Sequence, residues 1–157
     1  RSGCVWGFFW LNWPFGKIFL GDGGSYFIGF SLAWMAVLLI ERNPSVSPFA
    51  PLVICAHPIT EVLLSIYRRH YKELHPGLPD RLHFHSLLKQ RYVRRWFGYL
   101  SNRMRNSITG ILVGLMTITS VLLATLTYDS TKWSVISYAV LNIGFIALYV
   151  RMVRHRW

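Results

Sequence analysis

The chain has 157 residues, 53% of them hydrophobic and 16% aromatic, with a mean hydropathy of +0.34 and a formal charge of +11. Only 15% of its residues are charged, against about 25% in a typical soluble domain, which excludes an ordinary water-soluble globule and confines charge to loops, as an integral membrane protein requires. A soluble chain this basic points to nucleic acid, but here the basic residues flank apolar segments, where topology and anionic headgroups account for them without a nucleic-acid partner.

The first apolar stretch, residues 3–15, is too short to cross a bilayer and lacks the zoned order of a signal peptide. It is expected to be the end of a helix that begins before Arg1. Residues 24–40 (GSYFIGFSLAWMAVLLI) are apolar and uncharged. Residues 48–67 (PFAPLVICAHPITEVLLSIY) form a second run, interrupted by Pro58 and carrying His57 and Glu61, with Pro44, Pro48 and Pro51 marking the turn before it. Residues 107–128 and 133–150 form two more, joined by a polar turn at Asp129, Ser130, Thr131 and Lys132. A membrane-crossing helix needs roughly 20 apolar residues, and all four runs fall within the tolerated range. The predicted fold is all-α: a polytopic membrane helix bundle of about four complete transmembrane spans plus a partial N-terminal one, with residues 1–157 as one membrane domain. Cys4 and Cys55 do not make a disulfide framework and read as small packing residues. Trp6, Trp10, Trp13, Trp96, Trp133 and Trp157 fall near span ends, as interface anchors do. The Gly110–Gly114 spacing suits a close helix contact.

Basic residues set the orientation. The loop 68–106 holds Arg68, Arg69, Lys72, Arg81, Lys89, Arg91, Arg94, Arg95, Arg103 and Arg105; the tail adds Arg151, Arg154 and Arg156; Lys17 precedes the first span. Alternating spans put these fourteen on one side, predicted to be cytoplasmic, and leave only Arg42 and Lys132 on the other. Asp22 and the pair His83/His85 then share the cytoplasmic face.

Three constellations carry chemistry. In FLGDGGS (19–25), glycines around Asp22 allow a tight turn and close approach of a phosphate, Ser25 opens a helix whose N-terminus favours anions, and Asp22 is a hard oxygen ligand suited to Mg2+. The plainer reading of the same turn is a helix entry with Asp22 near the N-cap. In PDRLHFH (79–85), histidines two apart point the same way on an extended segment and can bind metal, donate to phosphate or move protons; as a lone motif they read equally as solvated loop histidines. Zinc is disfavoured, because no Cys or Glu lies nearby in sequence to complete a set of three or four ligands. Arg68 and Arg69 end the second span with forks that match phosphate oxygens, or serve only to mark topology. Inside that span His57 and Glu61 stand four apart, where they can pair across one turn.

At these residues the chain resembles the polyprenyl-phosphate N-acetylhexosamine-1-phosphate transferases. PFGKIFLGDGGSYFIGF (14–30), HPITEVLLSIYRR (57–69) and HPGLPDRLHFHSLLKQR (75–91) carry the resemblance. It is strongest toward the bacterial undecaprenyl-phosphate N-acetylglucosamine 1-phosphate transferases of glycosyltransferase family 4, and covers their C-terminal part. The resemblance implies transfer of a sugar 1-phosphate from a UDP-sugar to a polyprenyl phosphate at a bacterial inner membrane, starting lipid-linked envelope glycans such as lipopolysaccharide O-antigen. It implies Mg2+, with Mn2+ as substitute, at Asp22. It gives His83 and His85 a role in binding the nucleotide diphosphate, with Arg81, Gly23 and Ser25 beside them and Arg68 and Arg69 as further phosphate contacts; Asp80 and Arg81 would shape the histidine loop. Homo-oligomers are compatible with it. The family's aspartate-rich and Asn/Asp-rich loops would precede Arg1, so no catalytic base is assigned within the chain, and the fragment is expected to be inactive alone. Two other classes fit parts of the sequence: a small channel or transporter subunit using His57 and Glu61, and a noncatalytic scaffold docking through its basic loop. Neither accounts for the GD turn and the HxH segment together.

Overall fold

The computed structural model describes residues 2–14, 18, 20–71 and 82–154. Arg1, Lys17, Lys72, Asp80, Arg81, Arg156 and Trp157 lie outside the described residues. Among the described residues there are helices and turns and no strand. The helices are α1 (Ser2–Asn12), α2 (Gly21–Arg42), α3 (Ala50–Ile54), α4 (Ala56–Tyr71), α5 (Phe84–Leu88), α6 (Arg94–Trp96), α7 (Asn102–Thr127) and α8 (Thr131–Arg154), with a π-helical turn at Lys89–Val93 between α5 and α6. Helices α2, α7 and α8 are long and apolar enough to cross a membrane.

Helix α2 is apolar on every side and buries no residue. Tyr26, Phe27, Phe30, Trp34, Met35 and Leu39 are all exposed. A helix of this kind is at home in lipid, where its surface needs no protein cover. Gly21 has a φ of +69°, a conformation that a side chain strains, and a Cβ on Gly24 would lie 2.8 Å from the Leu20 side chain. Gly21 is therefore required by the helix entry itself, while a side chain at Gly24 would have to displace that of Leu20.

The run 48–67 is divided into α3 and α4 at Cys55. Pro58 has no N–H to offer the Ile54 carbonyl, and its ring crowds that turn, so the helix breaks one turn earlier. Helix α4 is amphipathic: Val62, Leu63, Ile66 and Tyr67 are exposed, whereas Thr60 is buried and Leu64 packs at the core. Thr60 Oγ1 donates to Ala56 O at 2.7 Å and also meets Asn142 Oδ1 of α8. Arg68 Nη1, two turns on, donates to the Tyr149 hydroxyl of the same helix, so α4 and α8 run in one direction.

Helix α7 starts at a side-chain cap, with Ser101 Oγ accepting from Met104 N at 3.4 Å. The hydroxyls of Thr109, Thr117, Thr119 and Ser120 donate back to carbonyls four residues earlier, which satisfies them within the helix, as an apolar surround demands. The turn to α8 is tight, with Ser130 N donating to Thr127 O and Ser134 Oγ to the same carbonyl at 2.6 Å. Ser120 and Ala124 of α7 and Ser134 and Ser137 of α8 are buried small residues, in a bundle where both helices pack on each other and on α3. The expected close contact at Gly110 and Gly114 is not made, since a Cβ on either would meet open space.

The segment 68–106 was expected as a loop, and this is the largest correction. Helix α4 runs on to Tyr71, and residues 84–96 are helical throughout. Phe84, Leu87 and Leu88 form one apolar stripe at helical spacing, and with Phe145, Tyr149 and Met152 of α8 they make the main core cluster. Phe84 is 0% exposed and Leu87 2%. The histidine-bearing segment thus returns into the bundle, packing on α7 and α8.

Replacing the core aromatic, Phe84→Ala, is expected to destabilise the chain by about 3–5 kcal/mol, the usual cost of emptying a well-packed aromatic site. Exposed Leu63→Ala is expected to change stability by less than about 0.5 kcal/mol. Denaturant titration in detergent micelles, followed by tryptophan fluorescence, measures both.

Candidate functional site

The chain ends of α2 fix where Asp22 lies. Ser107 Oγ donates to Pro14 O at 2.9 Å, and Ser47 N donates to Tyr128 O at 2.6 Å. The first bond ties the residues before α2 to the start of α7; the second ties the residues after α2 to the end of α7. At 1.5 Å per residue α2 is roughly 33 Å long, about the rise between Ser107 and Tyr128, the two points where α7 is tied to its flanks. Asp22 therefore sits toward the end of the bundle where α7 begins and α4 and α8 finish.

Asp22 lies within the first turn of α2, not in a turn before it. A carboxylate there is favoured by the helix dipole. Its side chain is exposed and, among the described residues, has no hydrogen-bond or ion-pair partner. Ser25 Oγ donates to Asp22 O at 2.9 Å, so the Ser25 hydroxyl is turned back into its own helix. Gly23 is exposed beside them.

The histidine segment is held by a different carboxylate. Glu61 Oε1 accepts from the Phe84 amide at 3.2 Å and lies 3.3 Å from His83 Nδ1. Its other oxygen is 3.8 Å from His57 Nε2. Glu61 thus stands between two imidazoles, one on its own helix and one on the returning segment. A carboxylate acceptor favours the proton on His83 Nδ1 and leaves Nε2 available to a ligand. His83 is in extended backbone at the start of α5, and His85 falls in its first turn. Their rings stack at 5.8 Å with an interplanar angle of 12°, so the pair does face together.

His57 is packed edge-on against Phe84 and Phe145, at 5.6 and 4.8 Å between ring centres. Its Nε2 is buried with no hydrogen-bond partner among the described residues. Beside it a groove of about 410 Å³ is lined by Glu61, Ser65, Arg69 and His83 together with apolar side chains of α4. Arg69 therefore stands on the same groove as His83. Arg68 does not: its guanidinium donates to the Tyr149 hydroxyl and lies 5.8 Å from that ring's centre, while the hydroxyl donates to Leu82 O at 3.2 Å. That chain of bonds pins the end of α4 to the entry of the histidine segment.

Of the residues singled out in the sequence, the structure gathers His83, His85 and Arg69. It leaves Asp22, Gly23 and Ser25 at the same end of the bundle without contact to them, and Arg81 is outside the described residues. Among the described residues no three His, Cys, Asp or Glu side chains form a group that could hold a metal ion by themselves. The link from Glu61 to His83 was not read from sequence. Its signal was an ionisable residue inside an apolar run, which demands a partner; the nearest candidate by spacing, His57, concealed the more distant one.

Comparison with known proteins bears out the resemblance. Residues 2–40, which include the Asp22 turn, match the model of Glycosyl transferase family 4. The undecaprenyl-phosphate alpha-N-acetylglucosaminyl 1-phosphate transferase of Haemophilus influenzae is 31% identical over 154 residues, covering 94% of this chain and 39% of that protein. The protein of the same name from Pasteurella multocida is 39% identical over 82 residues, 50% of this chain and 23% of its own length. That of Salmonella typhi is 38% identical over 73 residues, 46% and 20%. The chain spans about two fifths of the length of the first of these relatives and less of the others. No solved structure matches significantly.

Removing the Glu61 carboxylate leaves the buried end of the histidine segment without its acceptor. Glu61→Ala is expected to cost about 1–3 kcal/mol and to speed amide exchange across residues 83–88, whereas Glu61→Gln, which keeps an acceptor oxygen, shows a smaller effect. Hydrogen–deuterium exchange with mass spectrometry reads both; equal protection in all three proteins contradicts the assignment.

Proposed function

We propose that this chain forms the C-terminal part of a larger membrane phospho-sugar transferase. The enzyme moves a sugar 1-phosphate from a UDP-sugar, a UDP-N-acetylhexosamine, to a polyprenyl phosphate and so starts a lipid-linked envelope glycan. Support comes from the match to the transferases named above. The single observation that carries the reading within the fold is His83, held by the Glu61 carboxylate and stacked on His85, on a groove that Arg69 also lines.

In the proposed reaction an oxygen of the prenyl phosphate attacks the sugar-linked phosphorus. A new P–O bond forms, the bond to UMP breaks, and UMP leaves with its charge increased. Such transfers depend on positioning and on countering charge more than on covalent chemistry. His83, turned by Glu61, and His85, stacked on it, bind the diphosphate, and Arg69 adds a guanidinium from the same groove as His83. Arg68 acts through Tyr149 by fixing the entry to the segment, and Arg81 is assigned to the same loop. Gly21 gives the backbone its path at the other side of the site, where Gly23 and Ser25 flank Asp22.

Asp22 is the residue assigned to Mg2+, or Mn2+ in its place. Its exposed, unpartnered carboxylate fits an ion that is usually held by one or two carboxylates together with substrate phosphates, and that needs no full protein cage. When bound, the ion neutralises charge on the diphosphate. The basic end of the bundle is assigned to the cytoplasm on the distribution of Lys and Arg, and the membrane to the bacterial inner membrane on the likeness to the bacterial transferases. Homo-oligomers are compatible with the lipid-facing α2.

In the complete transferase Asp22→Asn is expected to abolish UMP release from UDP-N-acetylglucosamine in the presence of undecaprenyl phosphate and Mg2+. His83→Ala is expected to lower kcat by about a hundredfold or more, as loss of a charge-stabilising contact does. Rates within about twofold of wild type for either variant, at equal expression, would contradict the assignment.

A further inference from the structure

A second polar pocket lies across the histidine segment from Glu61. It has a volume of about 340 Å³ and is lined by Ser86, Lys89, Gln90, Arg94, Asn102 and Arg105. It shares no lining residue with the groove at Glu61. Three of its six side chains are cations and none is an acid. Among the described residues Lys89, Arg94 and Arg105 form no ion pair. Arg105 also buries its Nε without a hydrogen-bond partner among those residues. That Nε is closed off from the cavity itself, so what an anion would meet there is the charge of the three cationic side chains, which no acid in the lining answers.

The surroundings say what kind of anion. Asn102 and Arg105 occupy the first turn of α7, one of the three helices apolar enough to cross a membrane, and its apolar stretch begins three residues further on. Trp96 and Tyr99, next along the chain, are 68% and 81% exposed, where interfacial aromatics stand. Arg91 and Arg95 edge an adjoining cleft with Gln90 and Arg94. A cationic pocket with amide and hydroxyl donors, at headgroup depth and beside interfacial rings, is suited to a phosphate carried by lipid.

We propose that the pocket of Lys89, Arg94 and Arg105 binds the phosphate of an anionic membrane phospholipid, at a site separate from the one assigned to transfer. The π-helical turn Lys89–Val93 presents Lys89 and Gln90 to it, and α6 presents Arg94. Because the same segment carries His83 and His85 at its other end, an occupied pocket braces the histidine pair from behind. This inference goes beyond the proposed transferase activity and stands without it.

The test uses the purified chain in nanodiscs of phosphatidylcholine doped with phosphatidylglycerol, with retained lipid counted by native mass spectrometry. Wild type is expected to retain phosphatidylglycerol. The double variant Arg94→Gln/Arg105→Gln is expected to bind it roughly thirtyfold more weakly, the usual contribution of two basic side chains at an anionic surface. Arg42→Gln/Lys132→Gln, which removes the same charge at the other end of the bundle, is expected to bind as wild type does. Should the glutamine variant unfold by circular dichroism, Arg94→Lys/Arg105→Lys, which keeps charge but loses the forks, replaces it and is expected to show a partial loss. Equal retention by wild type and both pocket variants, or equal loss in the Arg42/Lys132 control, overturns the site. Inorganic phosphate that competes at the same residues with no preference for phosphatidylglycerol overturns the lipid assignment. A preference for polyprenyl phosphate over phosphatidylglycerol also overturns it and hands the pocket to the acceptor substrate.

Discussion

One carboxylate, Glu61, joins the returning segment to α4 at the histidines. Glu61 has an apolar helix behind it, and its oxygens meet the Phe84 amide and His83 Nδ1 on one side and face His57 on the other. A charged group in such surroundings is tolerated only where it is answered, and each answer here has a structural consequence. The amide bond seats Phe84 in the core. The imidazole contact fixes how His83 is turned. From these two follow the burial of Leu87 and Leu88 against α8, the path of the π-helical turn, and the separation of a neutral groove on one side from a basic pocket on the other.

The apolar skeleton was legible in sequence because lipid imposes a simple rule: long uncharged runs become helices with their backbone bonds closed internally. The runs at 24–40 and 133–150 each lie within a longer helix, and 107–128 does so but for Tyr128, which caps the end of α7. The shape of 48–67 was half legible. Pro58 announced a break, but where the chain would divide depended on the missing amide opposite Ile54. The segment 68–106 was misread for a physical reason. Its charge count is that of a loop, and counting by region averages away the stripe of Phe84, Leu87 and Leu88, which lies just before Lys89, Arg91 and Arg94 in the chain.

The candidate site divides along the same line. Residue types at short spacing announced themselves: Asp22 among glycines, His83 beside His85, Arg68 beside Arg69. What they touch did not. Arg68 and Arg69 are neighbours in sequence yet point to different tasks, one locked to Tyr149 and one on the groove. Glu61 found a partner twenty-two residues away. Asp22 stands on a helix that buries nothing, so its position relative to the histidines is set by the two ends of α2 and not by packing along it. In the proposed function the lipid-facing helix and the buried segment would be drawn together by the diphosphate and its cation, since their groups do not touch beforehand.

The central claim is that Asp22 and the histidine pair serve one diphosphate. Mn2+ is paramagnetic and broadens the imidazole resonances of nearby histidines. With UDP and Mn2+ added to the protein carrying isotopically labelled histidine, the account predicts broadening at His83 and His85 that disappears in Asp22→Asn. Broadening that is absent, or that persists unchanged when the Asp22 carboxylate is removed, would contradict it.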